Sequence, residues 1–447
     1  MTTTQTVRIL TDLAEARRIL ITRQPLETVA LPEHLRQRIQ EQWGEALSAE
    51  AVVARIVAAV RAEGDRALFD LTARIDGVLL ETLEVSRAEI AAAYHHVPPA
   101  VVDALRLAVS RVRAFHERQR PNSWFDFAEG YGQLVRPLER VGVYVPGGTA
   151  VYPSTVVMTA VPARVAGVNE VVLTSPAGRD GTLPPVTLVA ADLAGVDRVF
   201  RVGGAQAIAA LAYGTATIPR VDKILGPGNV FVTLAKRQVA GWVGIDSLAG
   251  PTETLIIADD QADPVRCAAD LLAQAEHDVL AQPILITTSP AVATATAQAI
   301  EQQLATLERA PIARAAVTNR GGIIVVPDLS TAFALANEYA PEHLCLHLRD
   351  PWPWVAAVKH AGGVFLGEQS TEALGDYTVG PSHVMPTGGT ARFSSPLTVE
   401  DFLKRISVIA LSAEQARALA PATATLARAE GLTAHARSVE LRQERAP

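Results

Sequence analysis

Three short runs constrain the fold of this chain more than anything else in it: Gly167 to Thr174 (GVNEVVLT), Gly195 to Val202 (GVDRVFRV) and Arg220 to Leu225 (RVDKIL). Each is β-rich and bounded upstream by a helical pattern. They lead into Ser175-Pro176, Gly203-Gly204 and Gly226-Pro227-Gly228 respectively. Strands separated by helices pair in parallel, because the crossover returns the chain to the same end of the sheet. The turns then all fall at the carboxyl ends of the strands, the edge where open α/β sheets bind ligands. A second set of strand-like runs follows Gly250, near Leu255 to Ala258, Ile284 to Thr288, Ile323 to Val326 and Val364 to Leu366. Two βα sheets account for these runs more simply than one.

Ahead of the strands, Ser48 to about Arg120 is helical in pattern. Val52, Val53, Ile56, Val57 and Val60 form one apolar stripe, and Ser86 with Glu89 makes a capping box. Val135 to Val145 alternates as a strand does, and beyond Val399 the alanine-rich run Ala416 to Ala429 reads as helix. The fold class is therefore α/β, with two Rossmann-like βα domains, an N-terminal helical region and a small C-terminal helical unit. The expected boundaries are an arm at 1–40, a first α/β domain at 41–145 plus 250–398, a second Rossmann-like domain at 146–249, and a tail at 399–447.

With 447 residues, 49% of them hydrophobic, the chain can bury large cores. A net charge of −7 offers no basic face for nucleic acid, which is bound by neutralising phosphates. No basic segment followed by an apolar core opens the chain, and no run approaches the ~18 apolar residues of a membrane span. A cytoplasmic protein with small-molecule partners is expected, and no membrane or nucleic-acid partner. Cys267 and Cys345 have neither disulfide-framework nor CxxC spacing and read as core thiols.

Four of the ten histidines, His277, His343, His383 and His435, lie toward the C-terminus, each with Asp or Glu a few positions upstream. An imidazole beside a carboxylate serves either a divalent metal or proton transfer near neutral pH. Gln274 and His277, three apart at the end of a helix, share nearly one face. Asp376 and His383 bracket a glycine-punctuated loop, Glu342-His343 enters a strand from a short loop, and Glu430 and His435 flank Gly431 in the tail. Taken singly, each pair also has a plain reading as a solvated helix face, an Asx-turn or a helix end. His95, His96 and His116 read as surface or core-edge residues. No GxGxxG follows any strand, so the glycine turns at Gly147-Gly148, Gly203-Gly204 and Gly226 to Gly228 leave dinucleotide binding open.

Together these segments resemble the histidinol dehydrogenase family, from about Ala51 to the tail. The resemblance is carried by VGVYVPGG at 141 to 148, VGGAQAIAALAYGT at 202 to 215, VDKILGPGN at 221 to 229, AGPTE at 249 to 253 and QAEHD at 274 to 278. It continues in YAPEHL at 339 to 344, GDYTVGPSHVMPT at 375 to 387 and EGLTAH at 430 to 435. It implies a zinc-dependent, NAD-linked four-electron oxidation of L-histidinol, through the aldehyde, to L-histidine. The implied metal ligands are Gln274, His277, Asp376 and His435, which also meet substrate. Glu342 and His343 form the implied proton-transfer pair, His343 toward the hydroxyl and Glu342 toward water. Thr252, His343, His383 and Glu430 are implied substrate contacts, and Tyr144, Gln206 and Asn229 nucleotide contacts. The resemblance further implies a homodimer in which the C-terminal tail reaches the partner subunit, so that His435 serves the neighbouring site. Thr252 stands where the family commonly has Ser, and Ser382 where it more usually has Asn; both bear on substrate fit. The alternatives are a related zinc- and NAD-dependent dehydrogenase of another small amino- or sulfo-alcohol, a zinc hydrolase, and a non-catalytic metal-binding scaffold.

Overall fold

The computed structural model describes residues 7–23, 33–147 and 151–443. Gly148 of the first glycine turn, and residues 1–6 and 24–32 of the expected arm, lie outside the described residues. The chain divides into two units, Met1–Gln119 with Glu139–Phe402, and Arg120–Leu138 with Leu403–Pro447.

The first unit is α/β and holds two fully parallel sheets. One has the strand order Ile9–Leu10, Gly322–Val325, Gln282–Thr287, Glu253–Ala258, His343–His347, Gly363–Leu366. The other runs Arg198–Phe200, Glu170–Thr174, Arg140–Tyr144, Lys223–Leu225, Gly244–Ile245. The runs beginning at Gly167, Gly195 and Arg220 each contain one strand of this second sheet. Apart from the N-terminal edge strand Ile9–Leu10, the chain enters each sheet in the middle, builds outward on one side, then crosses to the other. The order reverses between Glu253–Ala258 and His343–His347 in one, and between Arg140–Tyr144 and Lys223–Leu225 in the other.

The strands are apolar almost throughout because both faces are covered by helices. Successive side chains sort by the period of two: Ile256, Leu285, Ile323 and Cys345 enter one core, while Leu255, Ile257, Ile284, Ile286 and Leu344 enter the core on the opposite face. Each such Leu or Ile, fully buried, stabilises by roughly 1.5–3 kcal/mol. The helices Ala49–Glu63, Asp65–Leu71, Gly204–Tyr213 and Val230–Val239 enclose a third core with the second sheet. Ser48 caps the first of these helices, and the Ser86–Glu89 capping box forms as its spacing implies. His116 is fully buried, its Nδ1 2.8 Å from the Val112 carbonyl, rather than at a core edge.

The second unit opens with a strand where helix was expected. Leu403–Ile409 pairs antiparallel with Tyr131–Pro137, which pairs with Trp124–Asp126. Ile406, Val408 and Ile409 are β-branched, and seven ladder positions outweigh the alanine-rich sequence that follows. Helix begins only at Ala413, behind a Ser412–Gln415 capping box, and continues as Ala413–Ala429 and Thr433–Glu440. The unit's buried cluster is Ala424, Ala427 and Ala436. Among the described residues, no helix of either unit is long and apolar enough to cross a membrane.

Candidate active site

Glu253 begins one central strand of the first sheet and His343 begins its neighbour, so this site forms at the amino edge of that sheet. The helix Leu329–Tyr339 ends at Ala340, the one non-glycine residue with positive φ (53°) among the described residues. Arg23 stabilises that end by donating to the carbonyls of Tyr339 (2.9 Å) and Ala340 (3.3 Å). The turn delivers Pro341, Glu342 and His343 onto the sheet. Arg23 also grips the Glu253 carboxylate, with 2.7 Å from Nη2 to Oε2, and Gly388 N–H donates to Oε1 at 2.8 Å.

Held this way, the Glu253 main chain supports both neighbours. Its N–H donates to Glu342 Oε2 at 3.0 Å, where the Thr252 hydroxyl also donates at 2.7 Å. Its carbonyl lies 3.0 Å from His343 Nδ1. The Gln274 amide, from the helix Pro264–Ala275, approaches the same ring nitrogen at 2.9 Å. His343 Nε2 is buried without a hydrogen-bond partner, 3.7 Å from Asp376 Oδ1. Asp376 sits on the irregular turn Gly375–Val379, and its carbonyl lies 2.9 Å from His383 Nδ1. His383 Nε2 meets the hydroxyl of Thr155 at 3.2 Å.

Burial raises the Glu342 pKa to about 7, against His343 and the donors from Thr252 and Glu253. For His343, burial disfavours the charged ring, but Glu342, Glu372 and Asp376 outweigh it and hold the pKa well above the ordinary imidazole value. Burial likewise works against ionised Asp376, yet His343, His383 and His277 keep its pKa below the usual carboxylate range. His277 is exposed, one residue past the helix C-cap at Glu276, and interacts electrostatically with Asp376 and His343. The expected substrate and metal residues of this unit, Thr252, Gln274, His277, His343, Asp376 and His383, are therefore linked through Glu342, His343 and Asp376. Glu430, the C-cap of Ala413–Ala429, and His435, in Thr433–Glu440, belong to the second unit. Among the described residues no group of three or more His, Cys, Asp or Glu stands close enough to hold a metal ion. Ser382 turns inward, donating to the Met158 carbonyl at 3.0 Å.

The second sheet presents its carboxyl edge. Thr155, in the first turn of the helix Pro153–Ala166 that follows Arg140–Tyr144, carries that edge to His383. Tyr144 ends the central strand and its hydroxyl accepts from Gly204 N–H at 3.2 Å. Gln206 lies in the first turn of Gly204–Tyr213, and Asn229 caps Val230–Val239. Gly226 has φ of 113°, and a Cβ there would stand 2.1 Å from the Tyr144 carbonyl oxygen. Three of the four helices on this sheet, Pro153–Ala166, Pro185–Ala194 and Gly204–Tyr213, have no side-chain cap. Two of them open with a proline, which has no N–H, and Gly204 N–H goes to Tyr144, so what an anion would meet is the N–H groups that follow in the first turn. In the first sheet the corresponding helices begin under Asp263, Ser289 and Asp328. Two of those caps are carboxylates, which repel phosphate.

Sequence reasoning missed Glu372. It lies four residues before Asp376 on the same helical segment, is buried, and accepts from the Thr254 hydroxyl and, at 3.1 Å, from Cys345 Sγ. The acidic pair at i, i+4 was the available signal.

The family model for histidinol dehydrogenase matches residues 39–443. A histidinol dehydrogenase of Deinococcus radiodurans is 54% identical over 433 residues, covering 96% of this chain and 98% of the relative. One of Moorella thermoacetica is 52% identical over 417 residues, covering 91% and 98%. The crystal structure of histidinol dehydrogenase from Elizabethkingia anophelis superposes with a TM-score of 0.90 at 35% identity, covering 98% of each chain. This chain is therefore a dehydrogenase and belongs to the histidinol dehydrogenase family.

Proposed function

We propose that the protein oxidises L-histidinol to L-histidine with NAD and zinc. The observation that carries the reading is the Glu342–His343 pair, two acid–base groups with separate partners on one Glu253 main-chain segment. Gln274, His277 and Asp376, together with His435, would hold the zinc. Two imidazoles, a carboxylate and an amide oxygen are a donor set that zinc accepts, and the coupling of His277 to Asp376 fits it. Zinc, when bound, supplies a template for the substrate's nitrogens and a positive charge that offsets the carboxylates around His343. NAD is the hydride acceptor, held through Tyr144, Gln206 and Asn229 at the carboxyl edge of the second sheet.

The Glu253 carbonyl can only accept, so we assign the proton of neutral His343 to Nδ1 and a lone pair to Nε2; the Gln274 amide, whose Nε2 stands 2.9 Å from the same Nδ1, must then present its oxygen there or turn away. Nε2 takes the hydroxyl proton of the alcohol as hydride leaves its carbon, giving the aldehyde. Glu342, with Oε2 steadied by two donors, takes a proton from water as that water adds to the aldehyde. The hydrate loses a second hydride and two further protons, one from a hydroxyl and one on ionising to the carboxylate. The overall reaction consumes two NAD and one water and releases two NADH and three protons. Thr252, His383 and, from the second unit, Glu430 are assigned to substrate; the Thr252 hydroxyl does so while bonded to Glu342.

The assembly proposed is a homodimer exchanging C-terminal tails. The second unit leaves Phe127 (85%), Ile409 (76%) and Leu426 (66%) exposed, apolar surface that a second copy would cover. Two buried free thiols suit a reducing, cytoplasmic compartment. The test is turnover of histidinol with NAD and zinc, beside sulfonated diols and other small amino alcohols. Reduction of NAD with histidinol alone supports the reading, and turnover of another alcohol in its place overturns it.

A further inference from the structure

Asp76 is a carboxylate at the open end of the second sheet to which neither the family contacts nor the acid–base chemistry gives a role. It closes the turn Thr72–Asp76, where Gly77 in the left-handed conformation ends the helix. Its Oδ2 accepts from Gln206 Nε2 at 3.3 Å. A carboxylate accepts only, so it turns the Gln206 amide nitrogen toward itself and the amide oxygen toward Gly204. A Cβ at Gly204 would lie 2.7 Å from that oxygen, so glycine is needed for the amide to sit there. The Tyr144 hydroxyl takes the N–H of the same Gly204, and Asp76 and Tyr144 interact electrostatically. Asp76 Oδ1 receives no hydrogen bond from the described residues. Asp76, Tyr144 and Gln206 thus meet at a helix N-terminus without a side-chain cap.

We infer that Asp76 is the specificity-determining residue of the nucleotide site, offering Oδ1 to the vicinal hydroxyls of a ribose. Acting through Gln206, it also fixes that amide with its acceptor outward. A ribose diol satisfies a carboxylate oxygen that has no hydrogen bond, whereas a phosphate on the same ribose would face its negative charge and compete with it for Arg38, the cation that interacts with Asp76. The inference rests on the proposed binding of NAD at this edge.

Calorimetric titration of the zinc-loaded protein with NAD and with NADP, without substrate, tests it. Wild type should bind NAD at least about tenfold more tightly than NADP, since a charged hydrogen bond is gained for one and repulsion for the other. Asp76→Asn keeps the shape and removes the charge; it should weaken NAD about tenfold and bring the two dissociation constants together. Asp76→Ser, measured with the melting temperature of each variant, guards against a folding defect and should do the same. A preference for NAD unchanged within twofold in a folded Asp76→Asn protein overturns the inference while leaving NAD binding intact. Absence of NAD binding by wild type overturns the nucleotide reading itself.

Discussion

The carbonyl of Glu253 lies 3.0 Å from Nδ1 of His343, and the N–H of the same Glu253 holds Glu342 Oε2 at the same distance. One peptide segment, anchored by Arg23 on its side chain, therefore orients two acid–base groups that are adjacent in sequence but have different partners. The division of labour proposed for them makes a direct prediction. His343→Asn should abolish alcohol oxidation while added aldehyde is still converted to acid, and Glu342→Gln should show the opposite order. Losses on the order of 10²–10⁴ in kcat are expected for each affected half-reaction. Equal losses in both half-reactions would contradict separate roles.

The pH dependence has a definite sign. Burial raises the Glu342 pKa to about 7, and only the ionised carboxylate can take a proton from water. The kcat for aldehyde oxidation should rise as pH climbs from about 6 to about 8 and then level off. In Glu342→Gln the residual rate should lose that inflection. Because the folded pKa lies above the ordinary carboxylate value, the protonated acid favours the folded state. That contribution is complete below the unfolded pKa and is lost as pH rises through about 7, a decline that urea titrations at several pH values would detect.

Ala340 carries a left-handed backbone into the Glu342–His343 turn. A β-branched side chain fits that conformation poorly, so Ala340→Val should destabilise by about 2 kcal/mol and lower kcat by displacing the pair. Ala340→Gly should stay within about 1 kcal/mol of wild type, since relief of strain offsets the added freedom of the unfolded chain. Denaturant midpoints of the two variants check both statements.

Gly226→Ala puts a methyl group 2.1 Å from the Tyr144 carbonyl, a main-chain atom that cannot swing aside. The second sheet must shift at the point where its strand order reverses. A lowered melting temperature together with NAD binding weakened about tenfold is expected, with the loss in affinity read by titration.

Ile409→Asp and Leu426→Asp place charges on the apolar surface of the second unit. If a second copy covers it, sedimentation should show a shift from dimer to monomer, and activity should fall with it. Unchanged dimers would contradict the tail-exchange reading.

The central parallel strands were legible because both faces of each are covered, so each run is apolar and ends in a turn; the two-residue edge strands Ile9–Leu10 and Gly244–Ile245, only partly buried, carry no such pattern and were not read. The strand Leu403–Ile409 was not. It is mostly exposed, its alternation is broken by Lys404 and Arg405, and its partner lies some 270 residues earlier in the chain, between Tyr131 and Pro137. In the candidate site, the pairing of Gln274 with His343 joins a helix end to a strand start, which local spacing cannot reveal. Glu372 and Asp76 escaped for the same reason: their partners, Cys345 and Gln206, are distant in sequence. Which imidazole serves a metal and which a proton came from family resemblance, because a carboxylate beside a histidine is equally suited to either.

The stoichiometry of the complete reaction tests the central claim most directly. Zinc-loaded protein given limiting histidinol and excess NAD should form two NADH for each histidinol consumed, with histidine as product and without accumulation of free aldehyde. One NADH per histidinol with aldehyde as the end product would contradict the account, because Glu342 would then have no second oxidation to serve.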